Sequence, residues 1–197
     1  QGTLKILDIC AAPGGKSMLA ADILNHADID YMLEARDISE YKVELMQENF
    51  NRCHLNKAKA VAWDALEPDE RWLGQADVVI ADIPCSGLGV IGRKRDIKYK
   101  MTPQAVQDIV ELQEKILKVA ASYVKKGGKL LFSTCTVNKD ENEAHVKWIQ
   151  DTLKMTPVSL NGTLPGLVHS PTTQQGFVQL IPGMQDTDGF FISVFEK

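Results

Sequence analysis

The sequence has no long hydrophobic run, no export signal and no closely spaced pair of cysteines. None of its apolar runs approaches the roughly 18 residues that a membrane-spanning helix needs, and its first residues lack the basic and apolar segments of a signal peptide. The four cysteines, Cys10, Cys53, Cys85 and Cys135, lie far apart in the chain. Their spacing excludes a CxxC zinc or redox motif, so we expect no metal site and, without an export signal, reduced thiols in the cytoplasm.

The charge balance is slightly acidic, with 22 lysines and arginines against 26 acidic residues and a net charge of −4. Nucleic-acid binding usually calls for a basic surface, and only one segment has this character. Residues 93–100 carry five positive charges against one negative charge. From charge alone, this segment is either a solvated loop or a contact for phosphates.

Short apolar runs alternate with segments of helical periodicity, which is typical of an α/β fold. The predicted strands cover residues 5–9, 30–35, 58–63, 77–81, 129–133, 176–181 and 189–195. The predicted helices cover residues 17–24, 39–50, 103–126 and 140–153. Thr102 is expected to cap the longest helix and Gly127-Gly128 to end it. We therefore predict one domain with a mainly parallel sheet of seven strands, whose last two strands form an antiparallel edge.

A glycine pair follows the first predicted strand, where ligands bind in parallel α/β sheets. Small residues there let the backbone approach a ligand closely, and the N-terminus of a helix follows. Two nucleotide-binding motifs fail at this turn. Cys10 stands where a P-loop has its first glycine, and the adjacent Gly14 and Gly15 do not fit GxGxxG. The turn therefore predicts a ligand site but supports neither an NTPase nor a simple dinucleotide-binding domain.

Acidic residues follow the next three predicted strands. Asp37 stands about 20 residues after Gly15, the spacing at which an acid binds ribose hydroxyls in Rossmann-like sheets, although Glu34 competes for that role. Asp64 follows the third strand, where we expect the adenine end of a ligand, and Asp82 follows the fourth. A single aspartate at a strand end is often a turn former, but three in this pattern favour a nucleoside site.

Two cysteines also follow predicted strands at this edge. Cys85 comes three residues after Asp82, and Cys135 follows the fifth strand. A lone cysteine is more often a small buried hydrophobic residue than a nucleophile. Two cysteines that converge on the binding edge beside an aspartate favour nucleophilic chemistry.

Three motifs resemble those of the RNA cytosine-C5 methyltransferases of the Nop2/Sun family. They read Asp-x-Cys-Ala-Ala-Pro-Gly-Gly-Lys-Ser over residues 8–17, Asp-x-Pro-Cys-Ser-Gly-x-Gly over 82–89, and Ser-Thr-Cys-Thr over 133–136, followed by Glu-Asn-Glu at 141–143. The closing segment, residues 180–191, is similar to the last motif of that family. The resemblance spans residues 4–197 and is nearest to the bacterial Sun (RsmB) branch, which methylates 16S ribosomal RNA.

The resemblance implies a Rossmann-like methyltransferase fold that binds S-adenosylmethionine and an RNA substrate. The family's cofactor-binding positions fall on Cys10, Ala11, Ala12, Pro13, Gly14, Gly15 and Lys16 at the methionine end, on Asp37 at the ribose, on Asp64 at the adenine and on Asp82 beside the base. Cys135 corresponds to the family nucleophile, and Cys85 to the second cysteine, which helps to release the product. The resemblance also implies that residues 1–197 are a catalytic domain excised from a longer chain with an N-terminal RNA-binding domain.

Covalent catalysis gives both thiols a task, because C5 of cytosine is too weak a nucleophile to accept a methyl group unaided. A Cys135 thiolate that adds to C6 would push electron density to C5. Asp82, protonated near N3, would stabilise the charge on the ring, and Lys16 would lower the pKa of the Cys135 thiol. The target base must be unpaired or flipped out of a duplex. We expect phosphate contacts from Arg93, Lys94, Arg95 and Lys98.

Other assignments remain open at this stage. In a DNA-type cytosine methyltransferase, or a cysteine methyl carrier, the thiol after the fourth strand attacks, so Cys85 would be the nucleophile and Cys135 structural. A binding module could retain the sheet and have lost catalysis. The methyl acceptor could also be a protein or a small molecule, although paired thiols give little reason for that. Finally, Gly92 stands where the family often has arginine, which leaves the RNA contacts open.

Overall fold

The computed structural model describes residues 2–163 and 171–197. The N-terminal elements are β1 (Leu4–Asp8), α1 (Gly15–His26), β2 (Tyr31–Asp37), α2 (Glu40–Arg52), β3 (Ala58–Ala62) and β4 (Ala76–Asp82). After a 3-10 turn (Leu88–Val90) come α3 (Ile97–Lys100), α4 (Pro103–Tyr123), β5 (Val124–Thr134) and α5 (Glu143–Trp148). A π-helical turn (Ile149–Leu153), β6 (Thr156–Pro157), α6 (Pro171–Gln174), β7 (Phe177–Leu180) and β8 (Phe190–Glu196) complete the described chain.

The chain divides into two compact units. The first comprises the residues up to Asp82 together with Val119–Leu130, and the second comprises Ile83–Lys118 and Leu131–Lys197. The glycine-rich turn and the three predicted aspartates belong to the first unit. The two cysteines of the predicted reaction and the basic segment belong to the second.

Parallel strands form the sheet of the first unit. β1 pairs with β2 and β4, and β2 pairs with β3, which gives the order β3-β2-β1-β4. Leu7 of the inner strand β1 is fully buried and lies between Glu34 and Val79 of its neighbours. This arrangement confirms the predicted parallel α/β architecture. Because the carboxyl ends of parallel strands share one edge, Asp8, Asp37 and Asp82 end their strands on the same side of the sheet.

Antiparallel strands characterise the second unit. β7 pairs with β8, with Val178 opposite Ile192, and β6 also pairs with β8, with Thr156 opposite Glu196. The predicted antiparallel C-terminal edge is therefore confirmed. The described residues hold eight strands rather than the predicted seven, because β6 is only two residues long and shows no alternation in the sequence.

The longest helix, α4, begins where the sequence predicts but ends earlier. The Thr102 hydroxyl accepts a hydrogen bond from the Ala105 amide at 3.1 Å, which confirms the predicted cap. The helix ends at Tyr123, so the prediction that Gly127-Gly128 ends it is wrong. Both glycines lie inside β5, and a Cβ at Gly128 would lie 2.9 Å from the carbonyl oxygen of Ala76. Gly128 therefore permits close approach of two backbones rather than a helix end.

The helix predicted over residues 140–153 forms in part. α5 begins only at Glu143, and its C-terminal continuation is the π-helical turn. The 3-10 turn and α3 were not predicted, because elements of three or four residues are too short to show a helical period. Among the residues that the structure describes, no helix combines the length and the apolar character required to cross a membrane.

Candidate active site

The glycine-rich turn forms a small cavity in the first unit. Gly14 has a φ of 97°, and a side chain there would meet Met46 and Phe50 of α2 at 3.4 Å, so the turn requires glycine at this position. The cavity has a volume of about 110 Å³. Its lining consists of Asp8, Cys10, Ala11, Ala12, Pro13, Gly15, Lys16 and Asp82. The structure thus brings Asp82 together with most of the residues predicted for the methionine end of the cofactor.

Asp8 lines this cavity but was not predicted as a site residue. Its side chain is fully buried, and its Oδ2 accepts a hydrogen bond from Ser17 Oγ at 2.7 Å. Within the described part of the chain, Oδ1 has no hydrogen-bond partner. The pKa of Asp8 is raised to about 7, mainly by burial and also by the nearby charge of Asp82, although Ser17 and Lys16 lower it in part. The sequence signals for this residue were its place at the end of the first strand and its position as the first residue of the motif over residues 8–17.

Lys16 and Asp82 form an ion pair on the wall of the cavity. Lys16 Nζ lies 2.5 Å from Asp82 Oδ2, and both side chains are about one-third exposed, at 36% and 31%. The pair joins the N-terminal turn of α1 to the end of β4. Two predicted catalytic residues are therefore in direct contact with each other.

Burial and nearby carboxylates keep the Cys10 thiol protonated. The pKa of Cys10 is raised to about 12, mainly by burial and also by the charges of Asp8, Asp37, Asp82 and Asp64. The charges of the three predicted aspartates thus all influence the Cys10 thiol in the first unit. A thiol in this state is a poor nucleophile, whereas the surrounding negative charge suits a cationic ligand.

The structure separates the roles of Asp37 and Glu34. Glu34 is 2% exposed, and its Oε1 accepts hydrogen bonds from Nε and Nη2 of Arg36 at 2.7 and 2.5 Å. Lys59 Nζ lies 2.9 Å from its other oxygen. Glu34 is therefore occupied within the protein, which removes it as a competitor for the ribose. Asp37 ends β2, and its Oδ1 accepts the Ser39 amide at 3.0 Å.

Asp64 follows β3 as predicted and organises the turn after it. Its Oδ1 accepts a hydrogen bond from the Leu66 amide at 2.9 Å. The neighbouring Trp63 donates its indole N–H to the Glu67 carbonyl at 2.7 Å. The position of Asp64 is thus held by local turn contacts.

Cys85 and Cys135 meet in the second unit. Their sulfur atoms lie 3.3 Å apart, and both residues are partly buried. This distance is far longer than the roughly 2.05 Å of a disulfide and matches a hydrogen bond between sulfurs. Two residues that are 50 positions apart in the sequence are therefore in contact.

The Cys85 thiol resists loss of its proton. The hydrogen bond to Cys135 and burial together hold the pKa of the Cys85 thiol far above its usual range. Either sulfur can donate the hydrogen bond that joins them. A Cys85 thiol that resists ionisation favours Cys135 as the nucleophile, because the thiolate is the reactive form of cysteine.

A buried polar cluster adjoins both cysteines and was not predicted. It consists of Ser86, Gln113, Thr136 and Glu141, which are all buried. Ser86 and Thr136 directly follow the two cysteines in the sequence, and Glu141 stands in the Glu-Asn-Glu segment of the third motif. The second motif, which contains Ser86, and the third motif, which contains Thr136 and Glu141, were the signals that could have revealed the cluster.

The basic segment is largely exposed, and only its last four residues form α3. Within it, Arg93 Nε lies 3.0 Å from Asp188, Lys100 Nζ lies 2.7 Å from Asp96, and Lys98 Nζ lies 4.7 Å from the centre of the Tyr99 ring. Lys94 and Arg95 are exposed. In the described part of the chain, no group of three or more candidate ligands could hold a metal ion.

Comparison with known proteins finds relatives across nearly the whole chain. The sequence profile of the family described as "16S rRNA methyltransferase RsmB/F" matches residues 1–196. The "probable ribosomal RNA small subunit methyltransferase B" of Bacillus subtilis (strain 168) is 38% identical over 195 residues, which cover 98% of this chain and 43% of the relative. The "ribosomal RNA small subunit methyltransferase F" of Escherichia coli O7:K1 is 28% identical, with coverage of 98% and 40%. The chain thus spans less than half the length of these relatives.

Solved structures show the same fold. NSun6 from Pyrococcus horikoshii with SFG superimposes with a TM-score of 0.81 at 28% identity, over 98% of this chain and 47% of that one. A methyltransferase homolog protein from Pyrococcus horikoshii gives a TM-score of 0.80 at 26% identity, over 100% of this chain and 62% of that one. The predicted Rossmann-like methyltransferase fold is therefore confirmed.

Proposed function

The chain belongs to the 16S rRNA methyltransferase RsmB/F family, and from this premise we propose that it transfers a methyl group from S-adenosylmethionine to C5 of a cytosine in 16S ribosomal RNA, in the cytoplasm. The reaction proceeds through a covalent bond between Cys135 and C6 of the base. The observation that carries the proposal is the 3.3 Å contact between the Cys85 and Cys135 sulfurs, because this chemistry needs a nucleophilic thiol and a second thiol beside it.

The first unit fits the proposed cofactor. S-adenosylmethionine carries a positive sulfonium and an ammonium group, and when bound it supplies an electrophilic methyl group. The acidic surroundings of Cys10 suit these charges, and the buried Oδ1 of Asp8 still lacks a hydrogen-bond partner among the described residues. The related NSun6 structure contains SFG, an S-adenosylmethionine analogue.

The proposed roles follow the order of the strand ends. The turn from Cys10 to Lys16 binds the methionine end, where the backbone of a glycine-rich turn can approach the ligand. Asp37 binds the ribose hydroxyls, a role for which Glu34 is unavailable because of its ion pairs. Asp64 lies at the adenine side, and Asp82 lies between the cofactor and the base.

In the proposed chemical step, the Cys135 thiolate adds to C6 and the displaced ring electrons make C5 nucleophilic. Asp82 gives up its ion pair with Lys16 and, protonated near N3, stabilises the negative charge that develops on the ring. After methyl transfer the proton on C5 passes to solvent, with Cys85 assisting directly or through a water molecule. The electrons of the broken C–H bond form the double bond between C5 and C6 again, and the Cys135 sulfur leaves as a thiolate.

The basic segment is proposed to contact the RNA backbone. The side chains of Arg93, Lys94, Arg95 and Lys98 are exposed, and their charge opposes the net charge of −4 carried by the chain. Phosphate contacts would orient the RNA without reading its sequence. The target cytosine must be unpaired or flipped for C6 to reach the thiolate.

Substitution of each cysteine tests the proposal. Cys135→Ala is expected to abolish formation of 5-methylcytosine, because no covalent bond to C6 can form. Cys85→Ala is expected to accumulate a protein–RNA adduct that survives denaturation, because release is blocked. Cys53→Ala, at an exposed cysteine, serves as the matched control and should retain activity. Methylation is measured by bisulfite sequencing of the RNA, and the adduct by denaturing gel electrophoresis.

The same experiment separates the rival assignments. An adduct formed by Cys135→Ala but not by Cys85→Ala would make Cys85 the nucleophile, as in the DNA-type reaction. Calorimetric titration with S-adenosylhomocysteine addresses the binding module. The protein is also tested for methylation of 16S ribosomal RNA that is purified from cells lacking it. If it binds S-adenosylhomocysteine but does not methylate this RNA, it is a binding module that has lost catalysis.

A further inference from the structure

Glu141 is a buried carboxylate to which the proposed reaction gives no task. Its residue is fully enclosed in the second unit, with an exposure of 0%. A buried charge is costly unless hydrogen bonds compensate for the lost water. The hydrogen bonds that compensate the burial of Glu141 therefore indicate its structural role.

Four donors converge on the two oxygens of Glu141. Oε2 accepts the Ser86 amide at 2.8 Å and the Gln113 side-chain amide at 3.0 Å. Oε1 accepts the Ser86 hydroxyl at 2.5 Å and the Thr136 hydroxyl at 3.3 Å. A carboxylate has about four lone-pair sites, so these donors occupy its full capacity.

These donors stand next to the two cysteines in the chain. Ser86 directly follows Cys85, and Thr136 directly follows Cys135. One carboxylate thus bonds to both cysteine-bearing loops at once. The hydroxyls of Ser86 and Thr136 are themselves only 2.8 Å apart, which brings the two loops together beside the sulfurs.

Gln113 holds the first loop from its other side. Its side-chain amide donates to the Pro84 carbonyl at 2.9 Å as well as to Glu141. Cys85 therefore lies between two residues, Pro84 and Ser86, that are both fixed by the same cluster. The cluster connects the two loops to helix α4.

We propose that Glu141, braced by Gln113, is the positioning residue that holds the Cys85 and Cys135 thiols in contact. The importance of this contact for methyl transfer rests on the proposed function, whereas the contact itself can be measured without it. Glu141 acts through Ser86 and Thr136 and has no direct part in bond formation.

The four contacts require a carboxylate at residue 141, because each of them brings a hydrogen-bond donor to its oxygens. All four partners donate, so the amide of Glu141→Gln would place an N–H₂ group against at least one N–H or O–H donor. Ser86→Ala removes a single hydroxyl donor and leaves the Ser86 amide bond in place. Glu141→Gln should therefore disrupt more hydrogen bonds of the cluster than Ser86→Ala.

Exchange with glutathione measures how closely the thiols are held. Oxidised glutathione takes the two thiol hydrogens and is released as two reduced molecules, while a bond forms between the Cys85 and Cys135 sulfurs. The equilibrium constant of this exchange equals the effective concentration of one thiol at the other. Peptide mapping by mass spectrometry identifies the bonded pair.

The expected result is a constant at least about tenfold lower for Glu141→Gln than for the wild type, with a smaller decrease for Ser86→Ala. We also expect kcat to fall by a similar factor while KM for S-adenosylmethionine stays unchanged. Phe195→Leu, a core substitution in the same unit at a residue of 0% exposure, is the control for lost stability and should leave the constant unchanged.

An unchanged or larger constant in both Glu141→Gln and Ser86→Ala would overturn the positioning role. If Glu141→Gln does not fold, Ser86→Ala decides the question alone. If the wild-type protein does not methylate RNA but the constants fall as expected, the proposed function fails while the positioning role stands.

Discussion

At the residue scale, the position of Asp8 in the fold determines the pKa of its carboxyl group. The ordinary pKa of an aspartate is 3.8, and burial raises the pKa of Asp8 to about 7. The folded protein therefore holds a proton there that the unfolded chain releases above about pH 4. Between these values the folded state binds more protons than the unfolded state, so the free energy of unfolding falls as the pH rises.

Asp8→Asn should remove this pH dependence, because asparagine stays neutral in both states. Between pH 5 and pH 7, the free energy of unfolding of the wild type should fall by roughly 2 kcal/mol more than that of the variant, at about 1.4 kcal/mol per pKa unit. Urea unfolding at the two pH values measures the difference. If the free energy of unfolding changes equally with pH in both proteins, Asp8 is charged in the folded state.

At the scale of elements, close backbone contacts decide where the short 3-10 turn lies. The Gly89 amide donates to the Cys135 carbonyl at 3.1 Å, and the Gly189 amide donates to the Gly89 carbonyl at 2.8 Å. A Cβ at Gly89 would lie 2.8 Å from the Cys135 carbonyl oxygen and would also collide with the Gly189 backbone. The turn can therefore approach Cys135 only with glycine at this position.

Gly89→Ala should reduce methylation at least about tenfold, because the turn and the Cys135 loop must separate to admit the methyl group; overpacking of this kind costs about 1–3 kcal/mol. Gly92→Ala is the matched control, since a Cβ at Gly92 meets no atom within 4 Å. The rate of 5-methylcytosine formation is compared between the two variants. Equal rates would contradict the tight contact at Gly89.

The elements themselves differ in how far the sequence predicts them. Strands β1 to β4 and helices α1 and α2 follow local hydrophobic patterns, so their positions were predicted to within a few residues. The Gly127-Gly128 pair was misjudged because glycines that end a helix and glycines that let strands approach look alike in a sequence. The tertiary contact distinguishes the two uses, because a Cβ at Gly128 would lie 2.9 Å from the Ala76 carbonyl oxygen and 3.0 Å from that of Asp77.

At the scale of the whole molecule, stability depends on a buried ion network around Arg36 in the first unit. Arg36 is 1% exposed, and its Nη2 lies 2.5 Å from both Glu34 and Asp69. Its guanidinium also lies 4.9 Å from the centre of the Trp63 ring. The network ties β2 to the loop that follows Asp64, so it supports the expected adenine side of the site.

Arg36→Met should lower the free energy of unfolding by about 3–5 kcal/mol, because it leaves two buried carboxylates without their shared partner. Arg71→Met is the control: Arg71 also pairs with Asp69, but its side chain is 64% exposed, so the change should be small. Chemical denaturation measures the free energy of unfolding of both variants and of the wild type. Similar effects of the two substitutions would mean that burial does not set the strength of the network.

The sequence alone determined the alternation of strands and helices, the glycine-rich turn, and the acids and cysteines that follow the strands. These features depend on residues close together in the chain, whose spacing reports local geometry. The tertiary structure decided that the carboxylate of Glu34 is enclosed by ion pairs, that Asp8 is buried, that Cys85 and Cys135 touch, and that Glu141 bonds to both of their loops. Burial and hydrogen bonding depend on which distant segments meet, and no local pattern records that.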